Sequence, residues 1–201
     1  MTPKAGDKDF RRGFKSWCEN VALQIRKEMD LSQNAPIDPR HLAENLNVVL
    51  WKADEVPEIN PDTLRILTEE DPESWSALTL LFGEKRLIIL NPVNSPARQN
   101  SDLSHELSHL IIGHEGGRID ITPDNLLILH NYGGQQENEA NWLAGCLLLP
   151  RPALLHVRKT GMDDKTAIRT YGVSQEMFAF RVNVTGVDWQ TGKKVRRSRN
   201  S

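Results

Sequence analysis

The sequence contains no long apolar run. Its longest stretches of mainly apolar residues cover residues 78–82, 87–90 and 147–150, far short of the ~20 residues that a membrane-spanning helix needs. Residues 1–20 are mixed in charge and have no apolar core of the kind found in secretory signals. We therefore expect neither a membrane span nor export of this 201-residue chain.

Cysteine is also scarce. The chain has two, Cys18 and Cys146, and their spacing does not match a cysteine metal site. Cys146 lies within an apolar helical pattern, where a buried and reduced thiol is the expected state. Cysteine usage therefore favours the reducing environment of the cytoplasm.

Neither acids nor bases are in large excess. There are 27 acids and 25 bases, for a formal net charge of -2. Five of the bases lie between Lys193 and Arg199, where there is no acid. Such a stretch can bind nucleic acid, but a solvated end is commoner, and we predict a basic disordered tail over residues 188–201. A hydrophobic content of 38% is ordinary for a globular protein.

The first half of the chain predicts helices around a small sheet. Residues 10–29 carry apolar side chains at helical spacing. Asp38 can cap a short second helix, and the apolar residues 48–51 predict a strand. Two β-rich runs within residues 76–91 are joined by a short loop at residues 83–85, which predicts a β-hairpin.

The second half is predicted to be helical. Apolar residues recur at helical spacing between Pro96 and Gly113, and again over residues 135–149, where Pro150 ends the pattern. Three shorter helical patterns follow, at residues 152–159, 163–171 and 175–182. The predicted fold class is α+β, a mostly helical fold with a small β-sheet.

The helix after Pro96 contains an HExxH motif, from His105 to His109. Residues four apart share one face of a helix, so both imidazoles can bind one ion. Neutral imidazoles suit Zn²⁺, and Glu106 lies about 100° further round the helix, where it can act as a general base without being a ligand. The alternative is a helix with two solvent-facing histidines. The apolar neighbours favour a buried zinc site, with the sheet packed on this helix.

A catalytic zinc site has three protein ligands and one open position, so a third ligand is needed. His114 is nearest, but the long motif HExxHxxGxxH requires histidine where this chain has Glu115. Glu137 and Glu139 lie about 60° and 100° from the apolar face of their helix. Glu137 is therefore the better candidate, and Glu139 is expected to be a helix-start carboxylate that the helix dipole favours.

The strings SHELSHLIIGH, from Ser104, and ENEANWLAGCLLLP, from Glu137, resemble the ImmA/IrrE family of bacterial metallopeptidases. The family pattern is HExGH followed by ExEAnxFAxxLLmP. IDPRHLAENLNVVLW and AIRTYGVSQEMFAFR are also similar to family segments, so the likeness covers about residues 15–187. Ser108 replaces the usual glycine, and residues 102–104 depart from the usual lead-in, without loss of a metal-binding group. The ExxAN element also resembles the third-ligand helix of thermolysin-like gluzincins, which supports Glu137.

The resemblance implies a zinc-dependent endopeptidase acting on a protein substrate. The implied substrate is a helix-turn-helix transcriptional repressor of a mobile element or stress response. We expect a zinc metallopeptidase-like domain over residues 1–150. A helix-turn-helix-like extension of the same unit over residues 151–187 would precede the basic tail.

Two other functions stay open. Direct DNA binding is suggested by the tail and by a helix-turn-helix spacing around Gly172. The second helix of that unit is apolar, however, and Arg181 is its one base, which favours a packing or repressor-docking element. The other alternative is a regulatory protein with a non-catalytic zinc site, in which Glu106 would be dispensable. His130 and Tyr132 could stabilise an oxyanion, but we expect surface-loop roles for both.

Overall fold

The computed structural model describes residues 10–82, 85–114, 119–121, 127–129 and 132–192. In these residues the chain forms α1 (Phe14–Glu28), α2 (Pro39–Asn45), β1 (Val48–Lys52), α3 (Pro61–Arg65), β2 (Ala77–Phe82), β3 (Lys85–Leu90), α4 (Pro96–Ile112), β4 (Ile119–Ile121), β5 (Leu127–Leu129), α5 (Gly134–Leu148), α6 (Arg151–Thr160), α7 (Asp164–Tyr171), α8 (Gln175–Thr185) and α9 (Val187–Gln190). The predicted α+β, mostly helical fold is confirmed. None of the helices in the described residues is long and apolar enough to span a bilayer.

The main sheet has three strands in the order β1-β3-β2. The central strand β3 pairs with β1 in parallel and with β2 antiparallel, so that Thr79 lies opposite Ile88. The predicted hairpin is therefore confirmed, although residues 83 and 84 of its loop lie outside the described residues. A second sheet, in which β4 and β5 pair antiparallel, was not predicted from the sequence.

Two buried arginines hold the carboxyl end of α5. Arg26 of α1 donates from Nη2 to the carbonyl of Leu147 at 2.7 Å. Arg181 of α8 donates from Nε to the carbonyl of Leu149 at 2.9 Å and pairs through Nη2 with Glu19 of α1 at 2.5 Å. Both arginines are 0% exposed. A buried charge is costly unless hydrogen bonds or an opposite charge compensate it, so these contacts fix α1, α5 and α8 relative to one another.

The hydrophobic core runs through both predicted parts of the chain. Leu147, Leu154 and Phe178 belong to one buried cluster, which spans the expected boundary at residue 150. The division into residues 1–150 and 151–187 stays a prediction. Cys18 and Cys146 are both buried and free, as predicted for Cys146.

The expected start of the disordered tail at residue 188 is wrong. Residues Val187–Gln190 form the helix α9. Val187 is 0% exposed, and Asp188 accepts a 2.6 Å bond from Nε of Arg158. This burial and this ion pair hold α9 against α6, which the charge pattern of residues 193–199 does not reveal. Residues 193–201 lie outside the described residues.

Gly145 on α5 is predicted to be required for the close packing of the Arg181 side chain against this helix. A Cβ at Gly145 would lie 2.8 Å from Cδ of Arg181 and 3.4 Å from Sδ of Met177. We expect Gly145→Ala to lower the free energy of unfolding by about 1–2 kcal/mol, because overpacking outweighs the gain in helix propensity. Gly134→Ala on the same helix is the control, since a Cβ there meets nothing within 4 Å. Equal stability of the two variants in urea unfolding would contradict this prediction.

Candidate metal centre

The HExxH segment lies in the carboxyl-terminal half of α4. The hydroxyl of Ser95 accepts the Arg98 N–H at the start of this helix, and Gly113, with φ of 77°, ends it in the left-handed conformation. The chain then turns back, and the N–H of His114 donates to the carbonyl of His109 at 3.0 Å. His105 and His109 share one face, as predicted, with their Nε2 atoms 3.0 Å apart.

Glu137 of α5 meets both histidines. Its Oε2 lies 3.2 Å from Nε2 of His105, and its Oε1 lies 3.6 Å from Nε2 of His109. These three side chains form a group that could hold a metal ion, with ligand atoms all within 4.8 Å of one another. The structure therefore brings together the three residues that the sequence proposes as metal ligands, and their role as ligands stays a prediction.

The group is buried on one side and open on the other. The side chains of His105 and His109 are 20% and 1% exposed, whereas that of Glu137 is 42% exposed. Burial, together with the neighbouring His105 and His114, lowers the pKa of His109 to about 3. His109 is therefore a neutral imidazole near pH 7, which is the form that binds metals.

Glu106 lies between α4 and the sheet. The hydroxyl of Thr79 on β2 donates to Oε2 of Glu106 at 2.5 Å, so the predicted packing of the sheet on the HExxH helix is observed. Burial raises the pKa of Glu106, while the bond from Thr79 opposes the shift. A raised pKa makes a carboxylate a stronger proton acceptor, which suits a general base.

Asn141 is a site residue that the sequence reasoning missed. Its Oδ1 lies 3.0 Å from Nδ1 of His105, on the side opposite to Glu137. Residues four apart on a helix share one face, so α5 contacts both nitrogens of this imidazole through Glu137 and Asn141. The asparagine of the ExxAN element was the available signal, because a histidine that binds a metal almost always donates its other ring N–H to an acceptor.

Glu139, which we expected to be a helix-start carboxylate that the helix dipole favours, instead lies buried in the second turn of α5. Glu139 is 5% exposed, and its Oε2 lies 3.3 Å from Nε2 of His114. The angles of about 60° and 100° were measured from the apolar face of α5, so they took no account of other segments that pack against this helix. His114, which directly follows Gly113, contacts Glu139 on a side of α5 away from this face. His114 in turn contacts Nδ1 of His109 through its own Nδ1, at 2.9 Å.

Tyr132 does not occupy the surface-loop position that we expected. Its ring stacks on that of His109 with centroids 3.5 Å apart. Burial raises the pKa of Tyr132 to about 12, so its phenol stays protonated near pH 7. His130 lies outside the described residues. Ser108, which departs from the ImmA/IrrE pattern, is buried and donates to the carbonyl of Ser104 at 2.7 Å, so α4 accommodates it.

Comparison with known families matches residues 64–183 to the IrrE N-terminal-like domain, peptidase M78. The chain belongs to this family. The match includes α4, α5 and every residue of the candidate metal centre, and it confirms the resemblance to ImmA/IrrE proteins. It begins after α1, α2 and β1, so the likeness at residues 15–63 rests on the sequence strings alone.

The IrrE-like fold is also found in a solved structure, a Mycobacterium tuberculosis transcriptional regulator, with a TM-score of 0.50 and 12% sequence identity. The similarity covers 92% of this chain and 48% of that regulator, so this chain spans about half of its length. At this identity the likeness concerns the fold alone. A comparison with curated protein sequences gives no significant match.

Asn141→Ala is predicted to weaken metal binding by about 10- to 100-fold, the usual effect of losing the group that hydrogen-bonds a histidine ligand. The imidazole of His105 would lose the contact that fixes its orientation. Asn138→Ala, an exposed change on the same helix, is the control. The measurement is competition of the full chain with a chelating dye for Zn²⁺. Equal affinities of the two variants would show that Asn141 does not orient His105.

Proposed function

We propose that this IrrE-like protein is a zinc-dependent endopeptidase with His105, His109 and Glu137 as ligands. The observation that carries the proposal is the spacing of their donor atoms, 3.0, 3.2 and 3.6 Å. A tetrahedral zinc site with bonds of 2.0–2.1 Å requires ligand atoms about 3.3 Å apart. Two imidazoles and one carboxylate also form a donor set of the catalytic type, which leaves one position open.

Glu106 is the proposed catalytic base. A zinc ion in this group would acidify a water molecule and polarise the carbonyl of the bound peptide. The Glu106 carboxylate accepts the proton of the attacking water and then delivers it to the leaving amine. Thr79 donates to one oxygen of Glu106, which orients the carboxylate.

The edge strand β2 is the proposed binding surface for the substrate. β2 pairs with β3 on one side, and in the described residues no strand pairs with its other side. An extended peptide can add to such an edge through backbone hydrogen bonds. Because Thr79 of β2 contacts Glu106, a peptide bound there would pass beside the base. This mode of binding requires an unfolded segment in the target protein. We therefore expect cleavage to be limited to such segments.

The proposed substrate is a helix-turn-helix transcriptional repressor of a mobile element or stress response, as the family resemblance implies. The solved structure of similar fold is itself a transcriptional regulator, which is compatible with a regulatory partner. We propose that the protein acts in the cytoplasm, where the two free thiols would stay reduced.

The alternative of direct DNA binding has less support. The residues of the helix-turn-helix spacing are core residues, since Ala167, Tyr171, Val173 and Phe178 are at most 3% exposed. Arg181, the one base of α8, is paired with Glu19 and is 0% exposed. A recognition helix needs exposed side chains that reach bases or phosphates. A regulatory protein with a non-catalytic zinc site stays the second candidate. Replacement of Glu106 distinguishes the two, because only a protease requires this residue.

Protein purified without chelator is predicted to contain about one zinc per chain, as the three-ligand set requires. Glu137→Ala should lose most of this zinc during gel filtration, because only the two imidazoles remain. Metal analysis of both proteins is the measurement, with Asn138→Ala as the matched control. Wild-type protein without stoichiometric metal would contradict the proposed zinc centre.

Glu106→Gln is predicted to keep fold and zinc while proteolysis is lost, because an amide cannot accept the proton from water. The test is co-expression of wild type or variant with the repressor encoded next to its gene, under inducing conditions. We expect cleavage at one site by wild type only, and negligible activity on casein. An intact repressor that forms a complex with both proteins would support the non-catalytic alternative instead.

A further inference from the structure

Glu139 is a buried carboxylate, and its contacts in the described residues are with an amide and an imidazole. Its Oε1 accepts from the amide of Gln135 at 3.1 Å, and its Oε2 contacts His114. In the described part of the chain, no lysine or arginine lies within ion-pair distance of it. An ionised carboxylate in such a place is costly unless another positive charge compensates it.

The contact with Glu139 indicates which ring nitrogens of His114 and His109 carry a hydrogen. A carboxylate can only accept, so Nε2 of His114 carries the proton at this contact. A neutral His114 then has an acceptor at Nδ1, which faces Nδ1 of His109 at 2.9 Å. The proton at that contact must belong to His109, because one nitrogen has to donate. Nε2 of His109 is thereby left as a lone pair directed at Nε2 of His105 and at Glu137.

We propose that His114 and Glu139 are positioning residues that fix the metal-binding tautomer of His109 and couple the charge of Glu139 to the bound metal. The inference rests on the proposed zinc centre. The two imidazoles are then held differently, because His105 contacts the neutral amide of Asn141 whereas His109 is connected through His114 to a carboxylate. Acceptors of this kind raise the basicity of a histidine ligand, and anionic acceptors do so most.

Glu139→Gln distinguishes the effect of the negative charge of Glu139 from the effect of its side-chain shape. The amide keeps an oxygen acceptor for His114 but removes the negative charge. We expect the affinity for Zn²⁺ to fall about 10- to 100-fold, while urea unfolding of the metal-free protein is unchanged or shifts to higher urea. Glu176→Gln, an exposed change on α8, controls for net charge and should leave affinity unchanged.

The role of His114 is tested with two variants, one that removes its hydrogen bonds and one that can still form them. His114→Leu removes both contacts and should weaken zinc binding by a similar factor. His114→Gln can still accept from His109 and donate to Glu139, so it should recover most of the affinity. Nitrogen-15 NMR of the histidine rings in zinc-loaded wild type should show His114 protonated at Nε2 and unprotonated at Nδ1.

The possible results lead to different conclusions. If Glu139→Gln binds zinc as tightly as wild type, or if it destabilises the metal-free protein as much as the zinc-loaded one, the positioning role is wrong and the zinc centre stands. Protonation of His114 at Nδ1 would also overturn the inference. A wild-type protein that binds no zinc would overturn both the inference and the proposed function.

Discussion

The ion pair between the buried guanidinium of Arg181 and the partly exposed carboxylate of Glu19 is the interaction on which the candidate site most depends. It joins α1 to α8, and the same guanidinium binds the carbonyl that follows α5. α5 brings Glu137, Glu139 and Asn141 to the histidines, so its axial position decides whether these contacts form. A shift of one residue along α5 would move each side chain by about 1.5 Å and 100°. The C-terminal helices therefore support the candidate metal centre without contributing a side chain to it.

The candidate metal centre is formed by two helices that carry complementary groups. α4 contributes the imidazoles and Glu106, and α5 contributes acceptors at both ends of His105. The contacts of Asn141 and His114 occupy the Nδ1 atoms. The Nε2 atoms consequently face each other across a gap that also contains the Glu137 carboxylate. Desolvated lone pairs in such a position are unfavourable without a cation, which is the physical reason that the group suits a metal ion.

The sheet has a separate part in the arrangement. Its strand β2 places Thr79 on Glu106, and within the described residues no strand pairs with the other side of β2. The helix-turn-helix spacing, by contrast, is explained by packing, because its apolar residues fill the core between α7 and α8. A sequence spacing typical of DNA-binding proteins can thus arise wherever two short helices meet at a tight turn.

Much of this protein was determined by sequence alone. Hydrophobic periodicity predicts α1 and α4 to α8, because a buried helical face needs apolar residues at regular spacing, and the capping residue Asp38 predicts α2. The HExxH spacing places His105, Glu106 and His109, since they lie within one helical turn. The contacts of Glu139, His114 and Asn141 were decided by tertiary structure, because each depends on how α5 and His114 meet α4. The short α9 and the strands β4 and β5 also depend on tertiary contacts, since segments of three or four residues carry too little periodicity to be recognised.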